Sequence, residues 1–88
     1  MKDSTKAVFK YLQENNNADI TAKGLAEVLG LEPKVVNGAF TAAIQRKGYG
    51  YREEAEIKTD NGHEKVKFLK LTDTGLSLDV DALDKKED

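Results

Sequence analysis

Little in these 88 residues can do covalent chemistry. There is no cysteine, which removes thiolate metal sites, a thiol nucleophile and any disulfide framework. His63 is the one histidine, so a multi-histidine metal centre is excluded. No Ser, His and Asp stand at a recognisable triad spacing, and no carboxylates pair in an apolar setting. Gly48-Tyr49-Gly50 is too short to cradle phosphate. The sequence therefore implies no catalytic set, no metal and no cofactor. What remains are side chains that recognise rather than react. Lys34, Asn37, Gly38, Thr41 and Gln45 recur along one stretch. Their amides pair a donor with an acceptor, the hydroxyl does either, and the ammonium is a mobile charge. Arg46, Lys58, Lys65 and Lys67 form a second, basic set suited to holding anions.

These residues need elements to position them. Pro33 suits the first turn of a helix, and Val36, Ala39, Phe40, Ala43 and Ile44 then recur at helical spacing up to Gly48. With Val36 at the centre of the core, about 100° per residue turns Lys34, Gly38, Thr41, Ala42 and Gln45 outward. Asn37 falls on one flank, and Val35 and Arg46 on the other. Upstream, Asp3-Ser4-Thr5 offers caps for a first helix over about 5–14, with Val8, Tyr11 and Leu12 inward and Phe9 off that stripe. Asn15-Asn16-Asn17 stops it. Ala18-Asp19-Ile20 reads as a short extended segment. Thr21 then caps a second helix carrying Leu25, Ala26 and Leu29, which ends at Gly30 in the left-handed conformation. Leu31 returns to the core.

The period switches to two after Gly48. Tyr51–Lys58 and Lys65–Leu71 read as strands joined through Asn61-Gly62, a strong hairpin signal. With those two as the loop, Ile57 faces Val66, Ala55 faces Phe68, Glu56 faces Lys67 and Lys58 faces Lys65. Lys58, Lys65 and Lys67 then gather near the tip with the glutamates turned away. Leu69 and Leu71 point opposite to Val66 and Phe68, so either both faces are covered or a bulge re-aims the strand. His63 at the tip reads as solvated. The expected core is Leu12, Leu25, Leu29, Leu31, Val36, Phe40, Ile44 and Phe68. The fold class is α+β, three helices and a hairpin in one domain over 1–78. An acidic tail follows over 79–88, partly disordered, with 84–88 frayed; Leu76, Leu78, Val80 and Leu83 could dock. Net charge is −2, with the basic residues weighted to the first half and the acidic ones to the end. No apolar run approaches the roughly 18 residues that cross a bilayer, and no signal-peptide pattern opens the chain, so a soluble cytoplasmic protein without a membrane partner is expected.

Ala26, Gly30 and Val36 carry a small residue, a glycine four on and an aliphatic six further, which resembles a helix-turn-helix. Ile44 to Arg52 resembles the end of a recognition helix entering a wing strand. Leu71-Thr72-Asp73-Thr74-Gly75 resembles the segment closing the wing in bacterial winged-helix regulators, including the MarR-like group. The resemblance covers about residues 4–78. It implies a three-helix bundle with a β-hairpin wing, and sequence-specific binding of duplex DNA by a small transcription regulator of bacterial, archaeal or phage type. Lys34, Asn37, Gly38, Thr41 and Gln45 would meet bases; Arg46, Lys58, Lys65 and Lys67 would meet phosphates. A homodimer on two half-sites would offset the small area of one module. A second class remains open. Winged helices also serve as protein-protein adaptors, the acidic balance suits that use, and the tail offers a surface for a protein partner. A solvated helix face carries the same polar residue types.

Overall fold

The computed structural model describes residues 2–15 and 18–82. Helix α1 spans Asp3–Glu14, α2 spans Ala22–Leu29 and α3 spans Pro33–Ala39. Helix α3 continues without a break into a π-helical stretch, Phe40–Gln45. Strands β1 (Gly50–Thr59) and β2 (Gly62–Leu71) form an antiparallel hairpin, and the short α4 spans Asp73–Ser77.

The caps explain the helix ends. Lys2 takes the N-cap position of α1 without a side-chain cap bond, so Asp3, Ser4 and Thr5 lie inside the helix and do not cap it. Asp3 still favours the first turn, where its charge meets the exposed N–H groups. Asn15 ends α1, its backbone and side-chain amides both donating to the Tyr11 carbonyl. At α2 the Thr21 hydroxyl accepts from the Gly24 N–H at 3.1 Å. Gly30 has φ +70°, and the Leu31 N–H donates back to the Ala26 carbonyl at 2.8 Å. That left-handed exit turns the chain sharply into α3.

The core joins Val8, Phe9 and Leu12 of α1 to Leu25 and Ala26 of α2. Val36, Phe40 and Ile44, Leu69 and Leu71, and Val80 complete it. Leu29, Leu31 and Phe68 are only half-buried, short of the full burial expected. Phe9 is fully buried, because the third face of α1 is also covered: its ring lies 6.0 Å from that of Tyr49.

The hairpin register differs from the expected one by two residues. Thr59 pairs with Gly62, so Asp60 and Asn61 are the loop. Neither has positive φ; that conformation falls on Gly62, at +118°. A turn of ordinary hand followed by a positive-φ glycine replaces the type I′ turn. Ala55 now faces Val66, Glu53 faces Phe68, Glu56 faces Lys65 and Glu54 faces Lys67. The shift keeps every residue on its face, since strand period is two, and sets opposite charges across the ladder. Both faces are covered at the hairpin base. Leu69 and Leu71 enter the core, while on the other face the Lys70 ammonium donates to Ala18 O and Asp19 Oδ1, both at 3.0 Å. The 18–21 segment adds a single bridge, Thr21 to Phe68, and its Ile20 carbonyl accepts from the Leu69 N–H.

The wing is closed by Thr72. Its hydroxyl donates to Gly48 O at 3.0 Å and accepts from the Gly75 N–H at 3.2 Å, capping α4. Gly75 lies so close to the Tyr49 carbonyl that any Cβ there would overlap it. Beyond α4 the chain runs back along α1. Gln13 donates to the carbonyls of Gly75 and Leu78, Val80 is buried, and Asp81 pairs with Lys6 at 2.8 Å and Lys10 at 3.2 Å. Hydrogen bonds from Lys6 and Lys10, aided by their charges, hold the Asp81 carboxyl below its ordinary pKa. The expected fraying of 84–88 concerns residues outside those described.

Candidate nucleic-acid interface

Lys34, Asn37, Gly38, Ala42 and Gln45 are exposed along α3 and its π-helical continuation. Gly38 has open space where a Cβ would stand. Thr41 is half-buried. The Arg52 side chain covers it, bonded to its Oγ1 at 2.8 Å. In the π-helical stretch the Arg46 N–H donates to Thr41 O, five residues back, yet the phase holds: Ala42 and Gln45 are exposed and Ile44 is buried, as expected. A shallow groove of about 610 Å³ runs between Lys34, Val35, Gly38, Ala39, Ala42 and Ala43 on one side and the start of α1 on the other. Lys2 and Lys34 are the cations along it.

The wing holds α3 through Arg52, a residue the sequence reading did not assign. The Arg52 guanidinium donates to Thr41 Oγ1 at 2.8 Å and to Asn37 Oδ1 at 3.3 Å. It also lies over the Phe40 ring, 4.9 Å from the centroid. Cation–π contact and two directed bonds fix the angle between helix and hairpin. The signal was available: an arginine at the wing base, on the face of β1 that Leu69 shares, must meet the helix that face covers.

Arg46, Lys58, Lys65 and Lys67 are exposed. The lysines do not stand apart from the glutamates. Lys65 is opposite Glu56 and Lys67 opposite Glu54, and directly opposed residues share a face. The expected segregation, lysines outward and glutamates away, is therefore corrected by the register. Lys58 lies opposite His63, whose Nδ1 is 3.6 Å from a Glu56 carboxylate oxygen. Among the described residues no group of three or more His, Cys, Asp or Glu is placed to hold a metal ion. Among the described residues no helix is long and apolar enough to cross a membrane.

Helix, bridging segment, helix, tight turn, helix and projecting hairpin stand in the order the resemblance implied. The fold is a winged helix. The chain is similar to the crystal structure of MepR, a transcription regulator of the Staphylococcus aureus multidrug efflux pump MepA, with a TM-score of 0.68 and 20% identity. It is also similar to a mutant MepR from a multidrug-resistant S. aureus clinical isolate, with a TM-score of 0.70 and 18% identity. These alignments cover 98% and 99% of this chain but 57% and 60% of the neighbours' chains. Identity this low carries the winged-helix fold and not the neighbours' activity. No protein-family model matches the chain, and no curated protein matches it by sequence.

Proposed function

We propose that this winged helix binds duplex DNA sequence-specifically and serves a prokaryotic or phage transcription regulator. The observation that carries the reading is the outer face of α3. Lys34, Gly38, Ala42 and Gln45 lie exposed on the helix that the turn at Gly30 sets apart from α2. Two of the four have almost no side chain. A B-DNA major groove about 12 Å wide admits a helix of about 10–12 Å, and a narrow helix reaches its floor most closely. In this reading Lys34, Asn37, Thr41 and Gln45 meet bases, with Gly38 at the groove floor, while Arg46, Lys58, Lys65 and Lys67 hold phosphates. The neighbours' role as transcription regulators agrees with it.

The competing reading is a protein-protein adaptor, and one observation favours it. Glu53, Glu54 and Glu56 are all exposed on the wing and would repel a nearby phosphate backbone. Chemical-shift mapping separates the two. Adding a mixed-sequence duplex at low salt should move amide signals at Lys34, Gly38, Ala42 and Gln45, and at the wing tip around His63. Signals unchanged in the presence of excess duplex would remove the DNA reading and favour the adaptor. A homodimer on paired half-sites follows from the small area of one module, and analytical ultracentrifugation with and without duplex tests it.

A further inference from the structure

We infer that Arg52 makes the seam between α3 and the wing a donor-rich surface, so that Asn37 and Thr41 favour the acceptor edge of guanine over adenine. The inference rests on the DNA-binding reading and deepens it. An asparagine amide facing a major groove ordinarily pairs with adenine: its oxygen accepts from N6 and its nitrogen donates to N7. Here the oxygen is already engaged. Arginine has five N–H donors and no acceptor, so the atom of Asn37 that meets it at 3.3 Å must be Oδ1. That chemistry assigns the amide and leaves the two Nδ2 hydrogens of this exposed residue to donate. Oδ1 keeps a second lone pair, but the guanidinium charge is already beside it, and a further donor from adenine N6 would meet like partial charge.

The same logic biases Thr41. Its Oγ1 accepts from Arg52 at 2.8 Å, which takes one of its two lone pairs, sets the guanidinium charge beside the other and leaves its hydroxyl hydrogen to donate. The N–H groups of Arg52 not used in these two bonds are donors as well. Lys34, one turn before Asn37 on the exposed helix surface, is another donor. Every group at this seam therefore offers hydrogen. Guanine presents two acceptors side by side in the major groove, N7 and O6, whereas adenine presents one acceptor beside a donor. The arrangement persists because the guanidinium is held on three sides, by Asn37, Thr41 and the Phe40 ring. Arg52 is thus a positioning residue for specificity.

The test is selection from a pool of duplexes with randomised sequence at low salt, using the full chain. Asn37→Ala identifies the base position that residue 37 reads, as the position whose preference it abolishes. At that position the parent should enrich guanine over adenine at least about fivefold. Arg52→Met keeps an unbranched stem over Phe40 but removes the donors, freeing Oδ1, and should shift the preference to adenine. Arg52→Lys, which keeps the charge without the fork, should weaken guanine preference and serves if the Met variant does not melt cooperatively. An adenine preference in the parent, or a guanine preference unchanged in the folded Arg52 variants, overturns the inference while DNA binding stands. No enrichment of any sequence by the parent overturns the DNA-binding reading and this inference with it.

Discussion

Gly38→Ala should raise stability and lower DNA affinity, two effects of opposite sign from one methyl group. Gly38 lies within α3, it has no positive φ, and an added Cβ meets nothing within 4 Å. The folded state therefore accepts alanine without strain. Glycine inside a helix costs about 0.5–1 kcal/mol relative to alanine, chiefly through backbone entropy of the unfolded chain. Gaining that much should raise Tm by about 2–8 °C in a domain of this size. The methyl would project from the exposed face, where the proposed groove floor lies closest. If it keeps one base contact from forming, affinity for the preferred site falls by about 1–3 kcal/mol, roughly 5- to 150-fold. Calorimetry gives the first quantity and fluorescence anisotropy with a labelled duplex the second. A lower Tm would contradict the packing described for α3. A higher Tm with unchanged affinity would refute the placement of Gly38 against DNA.

Four further outcomes follow from the same geometry. Phe40→Ala should destabilise by about 3–5 kcal/mol in a denaturant melt, since its ring is fully buried and also supports Arg52. Gly75→Ala should destabilise by more than about 2 kcal/mol, because the new Cβ overlaps the Tyr49 carbonyl and that backbone is held by Thr72; a melt matching the parent would contradict the close approach. Lys65→Ala with Lys67→Ala should weaken all duplexes alike and make the log-log salt slope shallower by about two units. The pKa of Asp81 is lower folded than unfolded, so its pairing with Lys6 and Lys10 stabilises above the ordinary carboxylate pKa and is lost as pH falls through the folded value. Asp81→Asn should flatten the acid limb of the stability profile, more visibly at low salt.

Local signals that act through one residue's backbone were legible in the sequence. Thr21 capping α2, Gly30 turning into α3 and Asn15 ending α1 each depend on a side chain or φ preference that needs no partner far away. The face of α3 was legible along its length, through Ala42 and Gln45 outward and Ile44 inward. Thr41 alone lies deeper than its phase implied, because Arg52 of the wing covers it, a contact between elements that residue spacing does not show. The hairpin register was misread for a related reason. Asn-Gly marks the turn but does not say which of two places the glycine takes, and a shift of two residues leaves every face unchanged. The register observed sets Glu54 and Glu56 opposite Lys67 and Lys65 and takes Lys58 away from Lys65. Phe9 was missed as core because its burial depends on Tyr49; Val80, expected only as able to dock, is buried by the return of the chain along α1. Arg52 was missed because its role exists only once β1 and α3 are side by side.

The central claim, that this winged helix binds DNA through α3 and the wing, is tested most directly by titrating a labelled mixed-sequence duplex at several salt concentrations. Four proposed phosphate contacts, Arg46, Lys58, Lys65 and Lys67, predict saturable binding at low salt and a log-log slope of about −3 to −4 per module, at roughly −0.9 for each contact. No saturable binding at low salt, or binding that does not weaken as salt rises, would contradict it.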